Sequence, residues 1–482
     1  MGKDTALQPI DTYNPCRQWT GHLCVQKLRF HSSRLQSGGM DGDGIIAISR
    51  QNEEYAMSHS RPLLFFAPQA YGIESDCACA NGFVDAPAKC YYEFDCACAT
   101  SIIADNIAHG LATLGLLVPA DSTAFISHPS PLLTLWLHIT ARCNLRCAYC
   151  YAPKSNTDMS PAIGRAALEA AFRSAQIRTF RGIKIKYAGG EPTLNLPTVR
   201  AVHAYAQELA AKTGLGLREV LLSNGTLLTS ETLRWLRDEG IRLSISLDGI
   251  GEAHNRQRAS AGGGGSFSLV AESIERALAL GLSPHLSVTV TAYNVGHLAE
   301  VAAFALERGL TFNLNFVRPA PEQLGLMPTS EQLIAGVRSA LVEIERRSPP
   351  YPLMVGLLDR CDLSAPHRYP CGAGLSYLVV NPQGGVARCH MEIEREVCTV
   401  WDEDPLEAIR ETEAGFNNGP VDEKETCQDC LWRYICAGGC PLLARRLPSR
   451  DDGPSPYCDV YRTLLPELLQ IEGVHILKIH NI

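Results

Sequence analysis

Cys143-Asn144-Leu145-Arg146-Cys147-Ala148-Tyr149-Cys150 decides how this chain is read. Three cysteines stand with three residues in the first gap and two in the second. Immediately upstream, Leu132 to Ile139 is an apolar, strand-like run. The thiols therefore fall on a loop at the C-terminal end of a strand, where α/β barrels keep their chemistry. Thiolates are the soft ligands that iron–sulfur clusters take, and a compact loop can aim all three at one cube. Three protein ligands on a four-iron cluster leave one iron open to chemistry. The competing readings of the same residues are a zinc knuckle and three buried free cysteines.

Outward from this loop, residues 131–320 alternate between the two-residue and 3.6-residue hydrophobic periods. Strands are predicted at 132–139, 183–188, 218–223, 241–247, 284–291 and 311–317, and helices at 161–176, 197–213, 230–238, 267–280 and 295–308. Ser160-Pro161 and Asn294 are helix starts, and Gly281 and Gly309 are stops. Six βα repeats predict a parallel sheet curled into a partial barrel, because βαβ crossovers keep one hand. Leu243, Ile245 and Leu247 alternate with Ser244 and Ser246. Leu286, Val288 and Val290 alternate with Ser287, Thr289 and Thr291, and Phe312, Leu314 and Phe316 with Asn313 and Asn315. One set faces the helices and the other a small, polar, ligand-sized lumen.

Strand ends carry the remaining motifs. Gly189-Gly190-Glu191-Pro192 follows the second strand, where two glycines permit close approach of another group. Ser223-Asn224-Gly225-Thr226 follows the third, and Ser246-Leu247-Asp248-Gly249 the fourth. His254-Asn255-Arg256-Gln257-Arg258 comes next; an arginine fork suits a carboxylate, and the competing reading is a solvated loop. Ala261 to Ser266 is a glycine-rich flap or linker.

At 482 residues the chain has room for about three domains. It is 46% hydrophobic and 20% charged, enough for a sizeable core. A net charge of −8 with no basic block argues against nucleic acid as a partner. Met1 to Tyr13 is polar, and no apolar run is long enough to span a bilayer, so no membrane association and a cytoplasmic location are expected. Nineteen cysteines in tight CxC, CxxC and CxxxC groups favour metal or cluster ligation over disulfides. In residues 1–125, Asp76-Cys-Ala-Cys-Ala repeats as Asp95-Cys-Ala-Cys-Ala with Cys90 between. Cys77, Cys79, Cys96 and Cys98 are either a tetrathiolate metal site or packed small hydrophobes.

The cysteine loop, with an aromatic Tyr149 before its last cysteine, resembles the radical S-adenosylmethionine (radical SAM) superfamily. The resemblance implies an α/β fold with a partial (β/α)6 barrel. It also implies that SAM chelates the open iron of a cluster held by Cys143, Cys147 and Cys150. Reductive cleavage of SAM would then yield a 5′-deoxyadenosyl radical. Carried over by position, the SAM contacts are Tyr149, Gly190 and Glu191 of the Gly-Gly-Glu-Pro motif, Ser246, Arg258 (with Arg256 as a substitute) and Val317 against the adenine.

The C-terminal region adds a second resemblance. Cys371, Gly384, Cys389, Cys427-x2-Cys430-x5-Cys436-x3-Cys440 and Cys458 resemble the SPASM extension, which binds two auxiliary [4Fe-4S] clusters. Cys361 is the candidate eighth ligand. The resemblance assigns Cys361, Cys371, Cys389 and Cys440 to auxiliary cluster one and Cys427, Cys430, Cys436 and Cys458 to cluster two. Cys398 is left over as structural. The implied cofactors are three [4Fe-4S] clusters and SAM. The implied partners are a peptide or protein substrate and a reducing donor such as flavodoxin or ferredoxin.

The expected organisation is an α+β N-terminal extension at 1–125, resembling a winged-helix peptide-recognition module, and a barrel at 126–320. A linker and helix fill 321–360, and an auxiliary-cluster domain fills 361–482. The expected activity is oxidative modification of a ribosomal peptide, by a thioether or C–C crosslink. The sulfatase-maturating, formylglycine-forming branch has an acidic residue after the cysteine equivalent to Cys389; here it is His390, a candidate proton acceptor. A non-catalytic iron–sulfur electron carrier is the reading from another class.

Overall fold

The structure, a computed structural model, describes residues 131–480 apart from 352, 364–366, 414 and 448–454. The expected N-terminal extension, with Cys77, Cys79, Cys90, Cys96 and Cys98, lies outside the described residues.

The βα repeats form where the patterning puts them. In chain order they are β1 (Leu132–His138), α1 (Pro161–Ile177), β2 (Gly182–Ala188), α2 (Leu196–Thr213), β3 (Gly216–Ser223), α3 (Ser230–Asp238) and β4 (Arg242–Ser246). The single turn α4 (Glu252–Asn255), then α5 (Phe267–Ala279), β5 (His285–Val290), α6 (Leu298–Glu307), β6 (Phe312–Phe316) and α7 (Ser330–Arg347) follow. Local chemistry explains the ends. The Ser160 hydroxyl accepts from the Ile163 N–H, with Pro161 at the first helical position. Gly281 and Gly309, with φ of 77° and 66°, take the left-handed turn that ends α5 and α6. Asn294 precedes a helical turn without capping it, because its side chain is used elsewhere.

The six strands pair in parallel, in the order β6-β5-β4-β3-β2-β1. Leu133, Leu135, Leu137, Ile183, Ile185, Leu243, Ile245, Leu286, Val288 and Leu314 are sealed against the helices. Each such side chain contributes roughly 1.5–3 kcal/mol through the water it sheds. The alternate set lines the inside. On β4 to β6 it is small and polar, as expected; on β1 and β2 it is Trp136, His138, Lys184 and Lys186, which gives that wall bulk and positive charge.

The C-terminal region does not stand apart from this sheet. β7 (Tyr377–Val380) pairs in parallel with β1, and β8 (Gly385–Ala387) and β9 (Glu396–Thr399) continue antiparallel, making nine strands. At the other edge, the Leu314 N–H on β6 donates to the Leu357 carbonyl at 2.7 Å. The chain then adds α8 (Pro405–Glu411), α9 (Arg433–Cys436), α10 (Pro441–Arg446) and α11 (Cys458–His480). Tyr457 donates to the Val317 carbonyl at 2.9 Å, and Arg446 to the Arg318 carbonyl at 2.9 Å. Both carbonyls lie just past the end of β6, so this region grips both barrel edges near the strands' C-terminal ends.

Candidate functional site

The cysteine loop is held on two sides by backbone. On one, the Gly190 N–H donates to the Thr140 carbonyl at 2.7 Å and the Glu191 N–H to the Arg142 carbonyl at 2.9 Å. On the other, Arg146 and Ala148 donate to the carbonyls of Ala259 and Gln257 at 2.8 and 3.0 Å, and Ala261 donates to Asn144 at 2.8 Å. The segment after α4 is therefore a ladder against the loop and not a solvated turn. The glycine-rich stretch closes on itself, with the Ser260 N–H on the Gly264 carbonyl at 2.8 Å.

Donors approach all three sulfurs. Cys143 accepts from the Leu145 N–H at 3.4 Å and from Asn224 Nδ2 at 3.9 Å. Cys147 faces Arg258 Nη1 at 3.9 Å, and Cys150 faces Lys154 Nζ at 3.0 Å. Burial pushes the Cys147 thiol up to about 11, with Arg258 opposing it, and raises Cys143 as well. Unaided, these two thiols stay protonated at neutral pH; a cation or cluster is what would make them thiolates. Soft sulfurs on one loop, ringed by N–H donors, fit the iron–sulfur cluster implied by the sequence.

Beside them lies a buried polar group centred on Asp248, which is fully buried. Its carboxylate accepts from Arg258 Nε at 2.6 Å, from the Tyr149 hydroxyl, and from the Thr289 N–H at 2.8 Å. Its carbonyl accepts from Asn294 Nδ2 at 2.6 Å, and its N–H donates to His254 Nδ1 at 3.3 Å. His254 in turn meets the Ser266 hydroxyl at 3.1 Å. Burial holds His254 down to about 4, so the ring is neutral, accepts at Nδ1 and donates at Nε2.

Arg258 is thus inside, over the Tyr149 ring at 5.5 Å, while Arg256 is exposed over Tyr293 at 4.3 Å. Of the two arginines weighed from the sequence, only Arg258 reaches the cysteines.

Glu191 is also fully buried. It accepts from Asn224 N, Ser223 Oγ, Thr193 Oγ1 and Thr193 N at 2.7 to 3.2 Å. Its carboxylate ties the loops after β2 and β3 together. The two preceding glycines serve the same packing: a Cβ on Gly190 would lie 2.0 Å from the Arg142 carbonyl oxygen. The close approach read from the sequence is to the backbone of the cysteine loop. Ser246 ends β4 in register with Ser287, and Val317 is buried, its N–H on the Val290 carbonyl at 3.1 Å.

The C-terminal cysteines gather in two groups. Cys389 feels the charges of Cys371 and Cys440, and Cys436 those of Cys430, Cys427 and Cys458. Burial raises the Cys440 thiol, but Arg318 and Arg360 beside it outweigh burial and hold it below the ordinary range. Arg318 is itself clamped on Asp359 at 2.6 and 2.7 Å. Cys361 is expected with Cys371, Cys389 and Cys440; burial raises its thiol, and the charges of Cys436, Asp359 and Asp362 raise it further. It is buried in the core. Cys398, the leftover residue, approaches the Pro405 carbonyl at 3.8 Å.

His390 follows Cys389 and sits in an aromatic box. It stacks on Trp136 with centroids 4.4 Å apart, meets the Tyr151 edge at 5.3 Å, and contacts the Tyr377 hydroxyl through Nδ1 at 3.0 Å. Burial, then Lys186, Arg360 and Arg318, hold its pKa well below the usual value. Held so far below that value, the ring is a neutral imidazole near pH 7. Sequence reasoning passed over Asp248, His254 and Asn294 as site residues. Asp248 stood within a quoted motif, but its partners come from segments up to 99 residues away, and only folding joins them.

An open parallel barrel with a thiol triad at the C-terminal end of β1 is the architecture of a cluster-bearing barrel enzyme. Residues 137–305 match the family described as the Radical SAM superfamily. GTP 3′,8-cyclase of Synechococcus sp. strain CC9605 is 31% identical over 261 residues, covering 51% of this chain and 72% of that protein. PqqA peptide cyclase of Xanthomonas campestris pv. campestris strain B100 is 28% identical over 357 residues, covering 68% and 87%. The solved structure of native anSMEcpe with bound AdoMet and Kp18Cys peptide has a TM-score of 0.58 at 20% identity, covering 71% of this chain and 100% of that one. The chain belongs to the radical SAM superfamily. Among the described residues, no helix is long and apolar enough to cross a membrane.

Proposed function

We propose that this chain is a radical SAM maturase that oxidatively modifies a peptide or protein by a thioether or C–C crosslink. The observation that carries it is the cysteine loop: three sulfurs approached by N–H donors, beside the Tyr149–Asp248–Arg258 group at the C-terminal end of the barrel. A cluster and SAM bound here would supply radical chemistry for removing a substrate hydrogen. The chain's own residues bind, orient and exclude water. Arg258, Tyr149, Ser246 and Val317 are the proposed SAM contacts; Gly190 and Glu191 set the loop on which the sulfurs depend. Cys371, Cys389 and Cys440 are the proposed ligands of one auxiliary cluster, and Cys427, Cys430, Cys436 and Cys458 of another. A cytoplasmic location and a flavodoxin- or ferredoxin-type donor complete the proposal.

Peptide as substrate class draws support from the peptide cyclase relative and from the peptide-bound neighbour. Sulfatase maturation has less support, because His390 stands where that branch carries a carboxylate. A neutral ring can still accept a proton from the oxidised substrate. His390→Ala, with clusters intact, should then lower product formation at least tenfold; full turnover would remove His390 from the chemistry.

The family chemistry is tested by Cys143→Ala, Cys147→Ala and Cys150→Ala. Each should abolish 5′-deoxyadenosine formation while the C-terminal iron persists. Undiminished formation by any one of them would sink the assignment.

A further inference from the structure

The inner wall formed by β1 and β2 holds buried donors with nothing to donate to. Trp136 Nε1 and both ring nitrogens of His138 are buried without a hydrogen-bond partner; burial, then Lys154, holds His138 down to about 4, so its neutral ring offers one N–H and one acceptor nitrogen. Beside them, Lys186 pairs in register with Trp136, its Nζ 5.9 Å from the indole centroid. Among the described residues it forms no ion pair, and the charges that bear on it, Lys184 and Arg360, are both positive. Burial first, and then those cations, hold the amine down to about 8. Lys184 in turn feels Arg242 and Arg218. A chain of net charge −8 has thus placed a run of like charges on one barrel wall. Burying a donor without a partner costs free energy, and holding a charge among like charges costs more, so such a set persists where a ligand completes it.

The wall borders the place where chemistry would occur. Trp136 stacks on His390, which follows Cys389, and Tyr151, which follows Cys150, meets the same imidazole edge-on. A ligand on Lys186 and Trp136 therefore lies between the cysteine loop and the C-terminal region. What the indole N–H, the one N–H of a neutral His138 and an ammonium complete is an anion with several acceptor lone pairs, and in a peptide that anion is a carboxylate.

We propose that Lys186, with Trp136 and His138, is the seat of a substrate carboxylate, from an acidic side chain or from a peptide C-terminus. This rests on the peptide-maturase reading and narrows its substrate class to peptides carrying that anion at the reacting segment. The specificity is the difference between a carboxylate that completes the donors and a neutral isostere that leaves the ammonium unpaired.

The test is equilibrium dialysis of radiolabelled probes against the anaerobic, cluster-loaded, full-length enzyme with SAM. N-acetylglutamate N-methylamide is compared with N-acetylglutamine N-methylamide, and N-acetylalanine with its N-methylamide. One carboxylate should bind at least tenfold tighter than its own amide, and which one identifies the source. Lys186→Met should erase that preference and Lys186→Arg should keep part of it. Equal binding within both pairs overturns the proposal in the unmodified enzyme alone. So does a preference that survives Lys186→Met. The same preparations are assayed for 5′-deoxyadenosine. Cleavage of SAM without any carboxylate preference overturns this seat alone, whereas no cleavage overturns the reading beneath it.

Discussion

Asp248 shows how much one carboxylate can organise. With Arg258, Tyr149 and the Thr289 N–H all upon it, it orients an arginine toward Cys147 that would otherwise be a buried cation without a counter-charge. Asp248→Asn keeps the shape and removes the charge. Breaking a buried pair in this way costs roughly 3–5 kcal/mol, because the remaining ion is left uncompensated. The expected outcome is a lower urea midpoint, together with SAM binding weakened at least tenfold as Arg258 loses its aim. A variant with unchanged midpoint and unchanged SAM affinity would show that Asp248 orients nothing of consequence.

At the scale of elements, the loops after β1 and β2 act as a pair. They meet backbone to backbone, and Gly190 is where they touch. With a Cβ set 2.0 Å from a carbonyl oxygen, Gly190→Ala must push the loops apart. Backbone cannot yield as a long side chain can. The variant should purify folded but short of about four irons, the share of a single four-iron cluster. Gly190→Ala protein with full iron and full SAM cleavage would contradict the packing argument. The strands and helices were legible because their periods are local properties. Strand 311–317, for instance, was predicted from Phe312, Leu314 and Phe316, and β6 is Phe312–Phe316. Asn294 was read as a helix start from its position alone. Its side chain holds the Asp248 and Thr289 carbonyls instead, a use set by a neighbouring strand.

For the whole molecule, the C-terminal region matters because it joins the barrel sheet at β1 and covers the far edge at β6. That places Cys389 and His390 near Trp136, and the cysteine groups on one body with the loop triad. Three clusters predict about twelve irons per chain in an anaerobic preparation. A preparation with four irons and stoichiometric zinc would leave the triad standing and turn the C-terminal groups into zinc sites.

The sequence by itself determined the family and the six-repeat barrel, because spacing within a loop and period along a strand are written in consecutive residues. It also offered Arg258 and Arg256 only as alternatives. The tertiary structure decided which of them lies inside, along with the Asp248 group, the neutrality of His390 and the unpaired donors around Lys186. Each depends on which distant segments share a buried volume. Burial and neighbouring charge, which set a pKa or leave a donor unmatched, exist only once the chain has closed around them.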